Sequence, residues 1–169
     1  MDATTISLNL ENLNDDERKL LMSLVEKGNK PTNKVWKPAT GQMTYVITAD
    51  NNVDDLRYND SHNYDHEAYE IGNIFPTKEA AKEEAKRREI LKRWKDLSIE
   101  SGEEEKLWDN KHMHYAVYYS YGRKQVDITY HSHYRFESTT YFATEASLNA
   151  AIKEIGAENV KKYILNIKE

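Results

Sequence analysis

The stretch from His112 to His133, HMHYAVYYSYGRKQVDITYHSH, constrains the fold more than any other part of the chain. Residues alternate with a period of two on both sides of Gly122, the signature of two strands joined by a tight turn. Met113, Tyr115, Val117, Tyr119 and Tyr121 take one face, with Val126, Ile128 and Tyr130 opposite them. A two-residue turn with Gly122 in its first central position fits type II′ and sets Tyr121 across from Lys124. Counting outward, His114 pairs with His131 and His112 with His133. These four histidines share the other face, with Tyr118 and Asp127 further along it. Directly opposed side chains in such a ladder lie roughly 4.5–5.5 Å apart, so the four rings are expected as one cluster. Met113, Tyr115, Val117, Val126 and Ile128 are the expected buried set.

Three readings fit that cluster. The plainest is a solvated polar face of an antiparallel sheet whose other face packs on helices. The second is RNA chemistry. Imidazole titrates near neutrality, so one histidine can take the 2′-OH proton while another protonates the leaving 5′-oxygen. His114 and His131 are the favoured pair and His112 and His133 the outer one, with Lys111, Arg123, Lys124 and Arg135 close enough in sequence to hold a phosphate. The third is a metal held by the two His-x-His pairs, with Asp127 as a further oxygen ligand. No Gly-rich phosphate loop, Cys nucleophile or complete catalytic signature accompanies them, and no cofactor is expected.

Charge and composition narrow the partner. The 169 residues carry 24 basic and 29 acidic side chains, a net charge of −5 and the wrong sign for a general coat on nucleic acid. A partner with a basic surface suits it better. Asp50, Asp54, Asp55, Asp60 and Asp65, with Glu67 and Glu70, form an acidic stretch that can imitate spaced phosphates or simply solubilise a loop. Calcium-loop spacing is absent from it. The chain has no Cys, which excludes disulfides and thiolate metal sites. No apolar run approaches membrane-span length and the N-terminus is acidic, so cytoplasmic residence, with no membrane partner, is the expectation.

Local signals place the remaining elements. Asn14 and Glu17 have capping-box spacing ahead of a helix with a Leu20, Leu21, Leu24, Val25 stripe, ending at Gly28. Gln42–Thr48 alternates as a strand, Val53–Tyr58 returns as a second, and Asn59–Glu67 reads as an exposed polar loop. Tyr69–Phe75 is expected as a third strand. Thr77 then caps a helix to about Leu97 whose first half offers only Ala contacts and whose second half carries Ile90, Leu91, Trp94 and Leu97. Ser98–Asn110 is an acidic linker anchored by Leu107 and Trp108. Tyr134–Ala143 is expected as a strand with Phe136 and Phe142 on one side, and Thr144 caps a helix with Leu148, Ala151, Ile152 and Ile155 inward, stopping at Gly156. Residues 157–167 continue as a short helix or a strand. Tyr118 and Tyr134 are the tyrosines best placed to stack bases or enter a partner's pocket.

The expected fold is therefore α+β: antiparallel sheet with helices packed on one face, as two βββα halves after an N-terminal helix. The divisions are 1–34, 35–98, an acidic linker over 99–110, and 111–169. Phe75-Pro76-Thr77 and Phe142-Ala143-Thr144 repeat a strand-to-helix corner, which duplication and common corner chemistry explain equally well.

The segments NDDERKLLMSLVEK, VWKPATG, YEIGNIFPTKEAAKEEAKR and TTYFATEASLNAAIKEIGAENVKKYIL together resemble a loose group of small accessory proteins encoded by phages and mobile elements of Gram-positive bacteria. The resemblance covers most of the chain, but its matching positions are corners, caps and core residues. Some phage accessory proteins of this size are anti-CRISPR inhibitors of the Cas9 nuclease. The resemblance thus implies an anti-defence protein acting in the bacterial cytoplasm on Cas9 or its guide RNA complex. The His-x-His pairs lie outside it. A His-dependent, metal-free ribonuclease is the alternative from another class, and a phage module for an unrelated protein is a third.

Overall fold

The structure, a computed structural model, describes residues 14–21 and 36–168. Contacts divide the chain into two compact units, residues 1–37 and residues 38–169. In the first unit residues 15–21 are helical. Asn14 Oδ1 accepts from the backbone N–H groups of Asp16 and Glu17, and Glu17 Oε2 accepts from the Asn14 N–H at 2.9 Å. This is the reciprocal capping box that the spacing predicts. Leu24, Val25 and Gly28 lie outside the described residues.

The second unit is α+β, with two small antiparallel sheets. Strands β1 (Met43–Ile47), β2 (Val53–Arg57) and β3 (Ile74–Phe75) form one sheet in the order β2-β1-β3. Strands β4 (His114–Ser120) and β5 (Gln125–His131) form the other. Helix α1 (Asn63–Glu70) precedes β3, α2 (Lys78–Glu100) links the sheets, and α3 (Glu145–Ile155) follows the second. A helical turn, α4 (Ala157–Asn159), runs into a π-helical turn over Val160–Ile164.

Helix α2 serves both cores. Thr77 Oγ1 caps it by accepting from the Ala80 N–H. Its first half buries Ala81 and Ala85 against Ile47, Tyr45, Val53 and Phe75, and small methyl groups there let the sheet come close. Its second half buries Ile90 and Trp94, and the Trp94 ring meets Phe142 edge-on at 4.9 Å. Trp94 and Phe142 join Leu148, Ala151 and Val160 in the main core, with Tyr115, Val117, Val126 and Ile128 packed against it. The face that alternation assigns does turn to this core, but Tyr115, Val117, Val126 and Ile128 are only partly buried, while His114 and Ala116 on the other face of β4 are buried. Arg93 ties α2 to α3 by bonding Glu154 and also reaches Glu100; the two carboxylates raise its guanidinium pKa further above its usual value. Gly102, at φ +81°, ends the segment after α2 in a backbone region that a side chain would strain.

Four expectations need correction. Residues 59–67 are not wholly loop, because α1 begins at Asn63. Asp65 in its first turn accepts from the Asn59 N–H and faces His62, which closes the turn before it. Consequently the third strand is short, covering Ile74–Phe75 rather than 69–75. Residues 134–143 are not a strand: pairing is confined to a bridge between Tyr115 and Phe142. Phe142 is buried whereas Phe136 is 51% exposed, so the two do not share a face. Last, the β4–β5 turn is not type II′. Gly122 does not take a positive φ, and Lys124 does, at +54°. The four residues 121–124 form the loop, yet the register is unchanged, with Ser120 opposite Gln125 and His114 opposite His131.

Candidate functional site

The register brings His114 and His131 opposite each other on one face, but the four histidines do not form one cluster. His114 is fully buried, and Met113, expected inside, is 41% exposed. Glu103 and Leu107 cover His114 from the linker after α2. Its Nδ1 bonds Glu103 Oε1 at 2.6 Å and its Nε2 faces the Leu107 carbonyl at 3.1 Å. The Trp108 indole lies flat on the imidazole, with centroids 3.6 Å apart and planes 6° off parallel. Both ring nitrogens are engaged and one ring face is covered, so a substrate has no access to His114. The solvated face is therefore corrected too: beside His114 the linker folds over it.

His131 sits among other rings. Tyr134 and Phe136 lie 5.0 and 5.4 Å from it, centroid to centroid, and 5.3 Å from each other. Tyr141 stands edge-on to both His114 and His131. His112 instead bonds Asp109 at 2.7 Å, and that bond holds the Asp109 carboxyl below the usual carboxylate range. His133 is exposed. Asp127 is taken by Arg123 at 2.6 Å and by Gln125. Among the described residues no three histidine or carboxylate side chains come together to hold a metal.

The other candidates separate into tied and free groups. Arg123 also reaches the Tyr118 hydroxyl at 3.3 Å, while Lys124 is exposed in the turn. Tyr134 is 56% exposed. Arg135 has no hydrogen-bond or ion-pair partner among the described residues, and neither has Lys95. Both line a cleft of about 330 Å³ with Lys106, Glu103, Glu104, Trp108, Thr139, Thr140 and Tyr141. Lys106 is held there by the carbonyls of Met113 and Ala143. The backbone N–H of Phe136 donates to the Tyr141 hydroxyl, fixing the exposed loop to the cleft wall. Lys95 and Lys106 escape a sequence reading because one lies in a charged helix and the other in an acidic linker, whereas Trp108 is the linker anchor that the sequence names.

The acidic stretch is not one surface. Asp65 is 5% exposed and structural, which removes it from any partner-binding loop. Asp50 accepts from Thr48 and Asn52, whose bonds lower its pKa. Asp55 pairs with Lys78 at 3.6 Å, and Asp60 accepts from the Tyr58 hydroxyl at 2.7 Å. Asp54 is exposed on β2. No helix among the described residues is long and apolar enough to cross a membrane. Comparison of the chain with protein-family models, curated proteins and solved structures returns no match.

Proposed function

We propose that the protein is a phage-encoded anti-defence protein that inhibits a Cas9 effector by binding it, and that the second half of the chain supplies the binding surface. The target rests on the resemblance of the corners and caps to phage accessory proteins. The mode rests on the site: His114 is enclosed, while Tyr134 and Phe136 stand more than half exposed beside a cleft where Lys95 and Arg135 have no ion-pair partner among the described residues. That exposed ring pair is the observation that carries the reading. Large rings held outside a core present apolar area at little conformational cost, and such residues dominate binding energy at interfaces. The guide RNA and the protein surface of the effector both belong to this target.

The test is incubation with a Cas9–guide complex, followed by a DNA-cleavage assay and a gel of the guide. Blocked cutting with intact RNA is the expected result. Shortened RNA would favour the ribonuclease, and unimpeded cutting would remove Cas9 as the target and leave a module for another partner.

A further inference from the structure

We infer that the cleft between α2, the linker over 103–108 and the loop over 132–140 takes one nucleotide of a single-stranded polynucleotide. The neighbouring nucleotides stack on Tyr134 and Phe136. This deepens the binding mode proposed above and rests on that reading for its choice of RNA.

The walls divide by chemistry. Lys95, Lys106 and Arg135 bring three cations to one cleft in a chain of net charge −5. None of the three is paired with a carboxylate among the described residues; Glu104 is the exposed acid on the rim, and Glu103 is engaged with His114. Cations gathered without carboxylate partners suit an anion, and a phosphodiester is one that comes joined to an aromatic base. The base finds Trp108 and Tyr141 in the wall and two exposed rings next to it. Stacking on rings beside a basic groove is how proteins hold single strands, because duplex bases have no free faces.

Thr139 and Thr140 add hydroxyls to the lining, next to the aromatic loop.

The test is fluorescence anisotropy of labelled 12-mers with the intact protein. Oligoadenylate RNA is expected to bind, and both Arg135→Ala and Lys95→Ala should flatten the salt dependence, by about 0.7 in log–log slope for each phosphate no longer neutralised. Tyr134→Ala/Phe136→Ala should weaken binding at least ~10-fold. The DNA 12-mer of the same sequence separates a ribose-specific site from a general single-strand site, and either result supports the cleft. No binding by any 12-mer, or binding unchanged in all three variants, overturns the inference. If Cas9 inhibition persists while every 12-mer fails to bind, the inference falls and the proposed function stands. If the 12-mers bind but cutting is unimpeded, the reverse holds.

Discussion

The two halves of the second unit share a plan and differ in what they put on it. In each, the first strand of a hairpin also pairs with a short segment that ends in Phe and leads through a Thr cap into a helix. Tyr45 faces Phe75 in the first half, and Tyr115 faces Phe142 in the second. Met43-Thr44-Tyr45 and Met113-His114-Tyr115 occupy equivalent places, and Thr44 and His114 are both fully buried. Thr44 needs one acceptor and finds it across the ladder at the Leu56 carbonyl, 2.9 Å away. An imidazole needs two partners, and the linker supplies both, so it must fold over the sheet. Around that folded linker the second half builds the cleft, and its loop carries Tyr134 and Phe136. Where the first half has α1 and a paired third strand, the second has exposed rings. Burial of one larger polar side chain thus accompanies a surface the other half lacks.

The largest effect expected is in the cores. Phe142→Ala should cost about 4 kcal/mol in urea unfolding, whereas Phe75→Ala, half-buried against two alanines, should cost about 2. Equal losses would mean the halves share the load. Next, His114→Ala strands the Glu103 carboxylate and should cost about 3 kcal/mol, while Thr44→Val should cost about 1. A His114 variant as stable as wild type would break the account of the linker. The smallest difference concerns pH. Tyr58 is fully buried, and burial first and then Asp60 push its hydroxyl up to about 12, from an ordinary value of about 10. A raised folded pKa stabilises below the unfolded value and is lost as pH climbs through about 12. Tyr58→Phe should therefore remove part of the alkaline loss of stability between those values. An unchanged alkaline profile would show that Tyr58 is not its source.

Much of this plan is legible in the residues, and the boundary follows from the range of the interactions. Caps at Asn14, Thr77 and Thr144 depend on residues three positions apart, so spacing alone locates them. The β4–β5 register is the same for either turn, because both set Ser120 opposite Gln125. That Ala81 and Ala85 are the buried residues of early α2 follows from composition. The site is less accessible. Glu103 belongs to a run of three glutamates, and nothing local separates the buried one from its exposed neighbours. His114 and His112 are two residues apart in an alternating pattern, yet a linker partner encloses one and leaves the other at the surface. Residues 134–136 alternate like a strand but have no neighbour to pair with, so their rings lie at the surface. Asp65 resembles its acidic neighbours in sequence, and the N–H of Asn59 and the His62 ring set it apart.

Inhibition of DNA cutting by a Cas9–guide complex, measured side by side for variants of the two halves, locates the binding surface. The account predicts that Tyr134→Ala/Phe136→Ala in the second half loses inhibition ~10-fold or more. Asp54→Asn/Asp55→Asn/Asp60→Asn in the first half should stay within about threefold of wild type, because its charges lie on an exposed, partly paired surface. Full inhibition by the ring variant together with loss in the Asp→Asn variant would contradict it and place the binding surface on the first half.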